Sequence, residues 1–168
     1  CLKMADEIKN DILANGWSEQ QQAFVMHYGS KDLDAANLLM LHYGFLEKTD
    51  PRIISTVQKT YERLVKNNLT MRYTAKDDFG IPENAFIVCS FWMINALYLI
   101  GEQEKAHAML DNIVQCVNPL GLFSEGIEIQ THRLTGNFPQ GYSHLAFIQT
   151  MFLLETDYNW SDLSPRIL

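Results

Sequence analysis

Residues 84–100 read NAFIVCSFWMINALYLI, apolar on every side of a helical wheel, and this stretch decides the fold. A helix without a polar stripe is tolerable in water only where protein surrounds it. The next helical segment, EQEKAHAMLDNIVQCV at 102–117, carries charge along one face, so one of its sides meets water. A fully buried helix followed at once by a half-buried one, with little more than Gly101 between them, makes a hairpin with an inner and an outer arm.

The same alternation extends along the chain. LKMADEIKNDIL (2–13) and PRIISTVQKTYERLVKN (51–67) are of the outer type, whereas LDAANLLMLHYGFL (33–46) and GYSHLAFIQTMFLL (141–154) are of the inner type. Start and stop signals set the boundaries. Asn15-Gly16 supplies a left-handed end to the first helix, Asp32 caps a second over Leu33–Tyr43 that ends at Gly44, and Pro51 opens a third that Asn67-Asn68 closes. The fourth runs from about Glu83 to Ile100, the fifth from Glu102 to Val117 and the sixth from Gly141 to Glu155. No segment shows the period-two alternation of a strand.

Loop lengths alternate in step. The connections at 16–31, 67–82 and 118–140 are long, while the returns at 44–50 and Gly101 are short. Unstructured connections beyond about 12–15 residues are uncommon in compact domains and tend to be functional. All three long ones are expected at one end. Inner buried helices, outer amphipathic ones and gathered loops describe an all-α fold, an α/α toroid, with about half of the ring present. The competing arrangement is an irregular helical bundle.

The 168 residues suit one domain, and a hydrophobic content of 47% suffices for a continuous core. The net charge of -7 argues against nucleic acid or an anionic membrane as partner, because acidic surfaces repel phosphate. Cys1, Cys89 and Cys116 form no CxxC pair, and the last two lie inside apolar helical patterns where a thiol acts as a small hydrophobe. The setting reads as reduced and cytoplasmic. No stretch reaches the roughly 18 apolar residues of a membrane helix, and the amino terminus lacks a signal-peptide layout. The chain opens at Cys1 without an initiator Met and runs straight into helical periodicity, which reads as a cut inside a longer protein. Residues 1–168 are then expected to be a portion of one larger toroid domain. Its expected companions are the missing amino-terminal half or further copies of itself.

The third long loop, NPLGLFSEGIEIQTHRLTGNFPQ at 118–140, holds two carboxylates, Glu125 and Glu128, among apolar and glycine residues. Desolvation beside Leu122 and Phe123 tunes a carboxylate for acid or base work. The bland alternative is a solvated loop glutamate. The second loop offers Arg72-Tyr73 ahead of Asp77-Asp78, a fork of donors beside a ring that suits a polyhydroxylated ligand, or equally an arginine paired to one of those acids. Trp17, Phe24 and Tyr28 in the first loop serve sugar stacking or loop anchoring. The five histidines show no i,i+4 helical pair and no HExxH, so no metal is expected. Cys89 within FIVCSFW reads as packing rather than as a nucleophile.

Four segments in register resemble the bacterial and archaeal glucoamylase-like glycoside hydrolases, a family that includes trehalases and glucodextranases. They are YGSKDLDAANLLMLHYGFL from Tyr28, LTMRYTAKDD from Leu69, ENAFIVCSFWMINALYLIGEQEKA from Glu83, and GLFSEGIEIQTHRLTGNFPQGYSHLAFI from Gly121. The resemblance covers nearly the whole chain, and it implies that residues 1–168 are the carboxyl-terminal portion of one α/α toroid catalytic domain of the six-hairpin glycosidase type. It implies an inverting hydrolase that releases terminal glucose from an α-glucan or splits trehalose, without a cofactor. It further implies that Glu125 is the general base and that Arg72, with Tyr73 beside it, holds the glucose at the cleavage point. Gln140 and Tyr142, with His144, lie in the stretch that supports the site floor. Gly126 stands where many relatives carry an acidic or amide side chain. The family's general acid sits in a Trp-Glu segment that these residues do not contain, so the isolated chain is expected to be inactive. The alternative function is a non-catalytic glucoamylase-like helical domain, regulatory or carbohydrate-binding, such as occurs in phosphorylase kinase subunits; an unrelated helical interaction module is a third reading.

Overall fold

The computed structural model describes residues 2–78 and 80–155. Among the described residues, the chain forms helices α1 (Leu2–Asn15), α2 (Leu39–His42), α3 (Pro51–Leu64), α4 (Ile87–Leu99), α5 (Gln103–Val114) and α6 (Gly141–Leu154). Short strands decorate the loops: β1 (Trp17–Ser18), β2 (Ala23–Phe24), β3 (Val65–Lys66), β4 (Leu69–Thr70), β5 (Asn84–Phe86), β6 (Gly126–Glu128) and β7 (Leu134–Thr135). None exceeds three residues, too short to leave an alternating pattern in the sequence.

Helix α4 is the hub. Ten of its thirteen residues are buried, and it packs on α5 and α6 while also meeting α2 and α3. Helices α3 and α5 are amphipathic as their sequences dictate. Ile53, Thr56, Val57, Thr60 and Leu64 turn inward on α3, and Ala106, Met109, Leu110, Ile113 and Val114 do so on α5. Helix α1 buries no residue fully and touches the core through Ile12 and Leu13. Helix α6, apolar all round in sequence, buries only one side, Ser143, Ala146, Thr150, Met151 and Leu154, and leaves Leu145, Ile148 and Phe152 exposed.

Several boundaries differ from expectation, each for a tertiary reason. Gly16 does not adopt a left-handed conformation. A Cβ there would lie 2.8 Å from the Ile12 carbonyl, so glycine serves close approach at this helix end. The second helix is capped by Asp34 rather than Asp32. Asp34 is extended and its carboxylate accepts the Ala36 N–H at 2.8 Å, which opens a 3-10 turn over Ala35–Leu38 before α2 begins. Asn67 and Asn68, both at positive φ, form the two-residue turn of the β3–β4 hairpin instead of closing α3, which ends at Leu64. Residues 84–86 pair with 126–128, so α4 starts at Ile87 rather than Glu83. Helix α5 ends at Val114, three residues before Val117.

The long loops are stitched together. The second and third share the three-stranded sheet β5–β6–β7, with Phe86 opposite Gly126 and Gly126 opposite Thr135. The 3-10 turn that follows the first joins the second where the Ala35 N–H donates to the Arg72 carbonyl at 2.8 Å. No helix among the described residues is long and apolar enough to cross a membrane.

Candidate active site

The third loop is seated on an aromatic cluster. Phe123 is buried and meets Phe91 of α4 and Phe147 of α6 with centroids 5.4 Å apart in each case. That anchor, two residues upstream, fixes the height of Glu125. Two main-chain bonds then hold Glu125 itself: its carbonyl accepts from Ile87 N–H at 3.0 Å and its own N–H donates to the Asn137 carbonyl at 2.9 Å, and the pairing of Gly126 with Phe86 follows at once.

The carboxylate is held asymmetrically. Oε2 accepts from both the backbone N–H of Asn137 at 3.1 Å and its side-chain Nδ2 at 2.9 Å. No hydrogen bond engages Oε1 among the described residues. Gly136, at φ 74°, makes room: a Cβ there would stand 2.9 Å from Oε2. The expectation that apolar neighbours desolvate Glu125 is not what the geometry uses. Glu125 is half-buried, Phe123 turns away into the core, and polar donors aim the carboxylate. One pinned oxygen and one open oxygen suit a group that must take a proton from a positioned water. Asn137 and Gly136 carry no separate signal in the sequence, because both are embedded in the GNFPQ block at 136–140.

Strand β5 also contributes to a cavity of about 310 Å³ lined by Arg72, Tyr73, Asp77, Gly80, Ile81, Pro82, Asn84 and Phe86. Its walls Asn84 and Phe86 belong to the strand that pairs with β6, which follows Glu125 directly. Arg72 does not pair with the acids that follow it. Its Nε lies 3.6 Å from Oδ2 of the buried Asp34, and its guanidinium sits over the Tyr73 ring at 5.8 Å. Tyr73 donates its hydroxyl to Asp77 at 2.8 Å, and that bond, with the Asp77 charge beside it, holds the phenol above its usual range. Half of the Arg72 side chain stays open to solvent, so its outer donors are available to a ligand.

Gln140 and Tyr142 stand at the start of α6. Gln140 is the cap, its Oε1 accepting the Tyr142 N–H at 3.2 Å, and its own N–H donates to the Phe123 carbonyl at 2.9 Å. Tyr142 is exposed and packs edge-on against Trp92 of α4, 6.1 Å between centroids. Glu128 is occupied elsewhere: it accepts from the Thr131 hydroxyl and pairs with Arg133 at 3.5 Å, interactions that hold its carboxyl below the usual range. The first-loop aromatics are anchors. Phe24 is buried against Trp17, and Tyr28 donates to Asp11 at 2.7 Å. Burial pushes the Cys89 thiol up and the Cys116 thiol to about 11, which suits packing rather than nucleophilic chemistry. Cys1 lies outside the described residues.

Comparison with known proteins gives concordant results. A profile of glycosyl hydrolases family 15 matches residues 1–152. The chain is 38% identical over 151 residues to a trehalase of Thermoplasma acidophilum, covering 89% of this chain and 26% of that protein. It is 38% identical to a trehalase of Mycobacterium tuberculosis, covering 88% of this chain and 22% of that protein. The chain thus spans about a quarter of the length of these curated relatives. Among solved structures, a wild-type glycosidase superposes with a TM-score of 0.80 at 19% identity, over 92% of this chain and 44% of that one. A variant glycosidase in complex with glucose superposes equally well, at 0.80 and 18% identity.

Proposed function

The chain belongs to glycosyl hydrolases family 15, and from that premise we propose that the protein carrying it hydrolyses an α-linked glucoside with inversion, Glu125 acting as general base. The observation that carries the reading is the Asn137 clamp, which fixes one oxygen of Glu125 and leaves the other without a bond among the described residues; the strand that follows Glu125 pairs with the wall of a cavity lined by Arg72 and Tyr73. A purely regulatory domain has no use for so specific a hold on a loop carboxylate.

In this mechanism Oε1 takes a proton from a water that attacks the anomeric carbon on the face opposite the leaving group. Arg72, oriented by Asp34, donates to hydroxyls of the glucose at the cleavage point, and the Tyr73 ring supports it. Gln140 and Tyr142 complete the floor at the start of α6. The partner acid must stand roughly 6.5–9.5 Å from the base to leave space for the water, and it comes from outside these residues. Trehalose is the preferred substrate, since relatives 38% identical to this chain carry the name trehalase; the ends of α-glucans are the second choice.

The test is Glu125→Gln in the complete parent protein. Turnover of trehalose should fall by about 10²–10⁴-fold, the range for loss of a general base, and the wild type should release product of inverted anomeric configuration by proton NMR. Unchanged turnover removes the assignment.

A further inference from the structure

His144 sits in the first turn of α6, half-buried, with both ring nitrogens engaged. Nδ1 lies 2.7 Å from the Gln140 carbonyl, and Nε2 lies 3.3 Å from the backbone nitrogen of Phe123. A carbonyl oxygen can only accept and a peptide N–H can only donate, so the two partners together admit one state of the ring. The proton is on Nδ1, and Nε2 is a bare acceptor.

The position of that acceptor matters because of what it holds. Segment 123–125 is tied down bond by bond: the Phe123 carbonyl accepts from Gln140 N–H, the Ser124 carbonyl from the Ser143 hydroxyl at 2.8 Å, and the Glu125 carbonyl from Ile87 N–H. The Phe123 N–H has His144 as its partner, and the two rings meet edge-on at 5.5 Å. Phe123 is buried, so an N–H released there does not gain water in exchange.

We propose that His144 is a positioning residue for the base loop, a neutral imidazole that seats Glu125 through the Phe123 amide and releases it when a proton arrives at Nε2. The inference rests on the reading of Glu125 as the base. Protonation converts Nε2 from acceptor to donor, so the Phe123 N–H bond breaks while the Gln140 bond persists. The titratable and charged groups on the elements around it are Cys89 and Tyr98 on α4, Cys116 just after α5, Glu125, Glu128, His132 and Arg133 on the third loop, Tyr142 on α6 with Glu155 at its end, and His42 on α2, which meets α6 through Gln149 at 2.9 Å.

The experiment uses the parent protein with ¹⁵N-labelled histidine. At neutral pH the His144 ring should show the Nδ1–H tautomer, and on acidification protection of the Phe123 amide from exchange should be lost in step with ring protonation. An Nε2–H tautomer, or Phe123 protection indifferent to ring protonation, overturns the proposal. In kinetics, His144→Phe should lower kcat about tenfold with KM nearly unchanged, and His144→Gln, which keeps an acceptor oxygen near the Nε2 position, should restore most of it. The acid side of the rate profile should carry two protonations in the wild type and one in His144→Gln. Equal losses in both variants, or identical acid limbs, count against the role. The tautomer and exchange results do not require Glu125 to be the base, so failure of Glu125→Gln to impair turnover would be seen separately.

Discussion

Asn137 grips a single oxygen of Glu125 through two donors, one from the backbone and one from its amide, and Gly136 opens the space in which this happens. The arrangement leaves no tolerance at position 136. Gly136→Ala adds a methyl 2.9 Å from Oε2 and forces a left-handed alanine at φ 74°, which costs roughly 1–2 kcal/mol of backbone strain. Because misplacement of a reacting group by about 1 Å costs on the order of 10²-fold in rate, kcat of the parent should fall far more than its melting temperature, as steady-state kinetics and thermal unfolding will show. Glu125, Arg72 and Tyr73 were legible in the sequence because each stands in a recognisable motif. Asp34 and Asn137 were not, since their importance lies in partners 38 and 12 positions away, Arg72 and Glu125, that only folding brings close.

Among the elements, features with local determinants were read correctly. Pro51 opens α3, where Asp50 proves to be the cap, the three-and-four spacing of apolar residues turns its inner face, and Gly101, at φ 92°, separates α4 from α5, whereas the end of α3 was placed three residues too late. The starts of α2 and α4 escaped because non-local bonds set them: the Arg72 carbonyl takes the first N–H after Asp34, and strand pairing removes residues 84–86 from the helix. Helix α4 also carries the support of the site through Phe91, whose ring lies 5.4 Å from Phe123 and 5.7 Å from Phe147. Phe91→Ala empties that contact in a fully buried position and should cost about 3–5 kcal/mol, measured by urea unfolding. The loss should also loosen the Glu125 loop, read as faster amide exchange at Phe123 and Ser124. A cost below about 1 kcal/mol would show that the cluster repacks.

For the whole molecule, the alternation of inner and outer helices was visible in the polarity of each segment, and the toroid arc agrees with a 0.80 TM-score over 92% of the chain. Polarity could not show which faces have partners. Leu145 is 66% exposed and Phe152 71% exposed on α6, and Leu2 is 84% exposed on α1, so the first and last helices both present apolar surface. Patches of this kind mark contact surfaces or association sites. The 168-residue chain expressed alone should therefore self-associate in light scattering, and Leu145→Glu together with Phe152→Lys should shift it toward monomer. A monodisperse wild-type monomer contradicts this.

The sheet that joins Asn84–Phe86 to Gly126–Glu128 has a consequence for how such proteins diversify. The cavity wall and the segment that follows Glu125 are in register through this pairing, and a side chain's face in a strand alternates with every residue. One residue inserted within 84–86 or 126–128 would turn the wall inside out and displace Glu125 at the same stroke. Insertions in the stretches at 74–83 and 115–122 should therefore be tolerated in the fold, whereas an insertion in either paired triplet should destabilise it, as thermal unfolding would show.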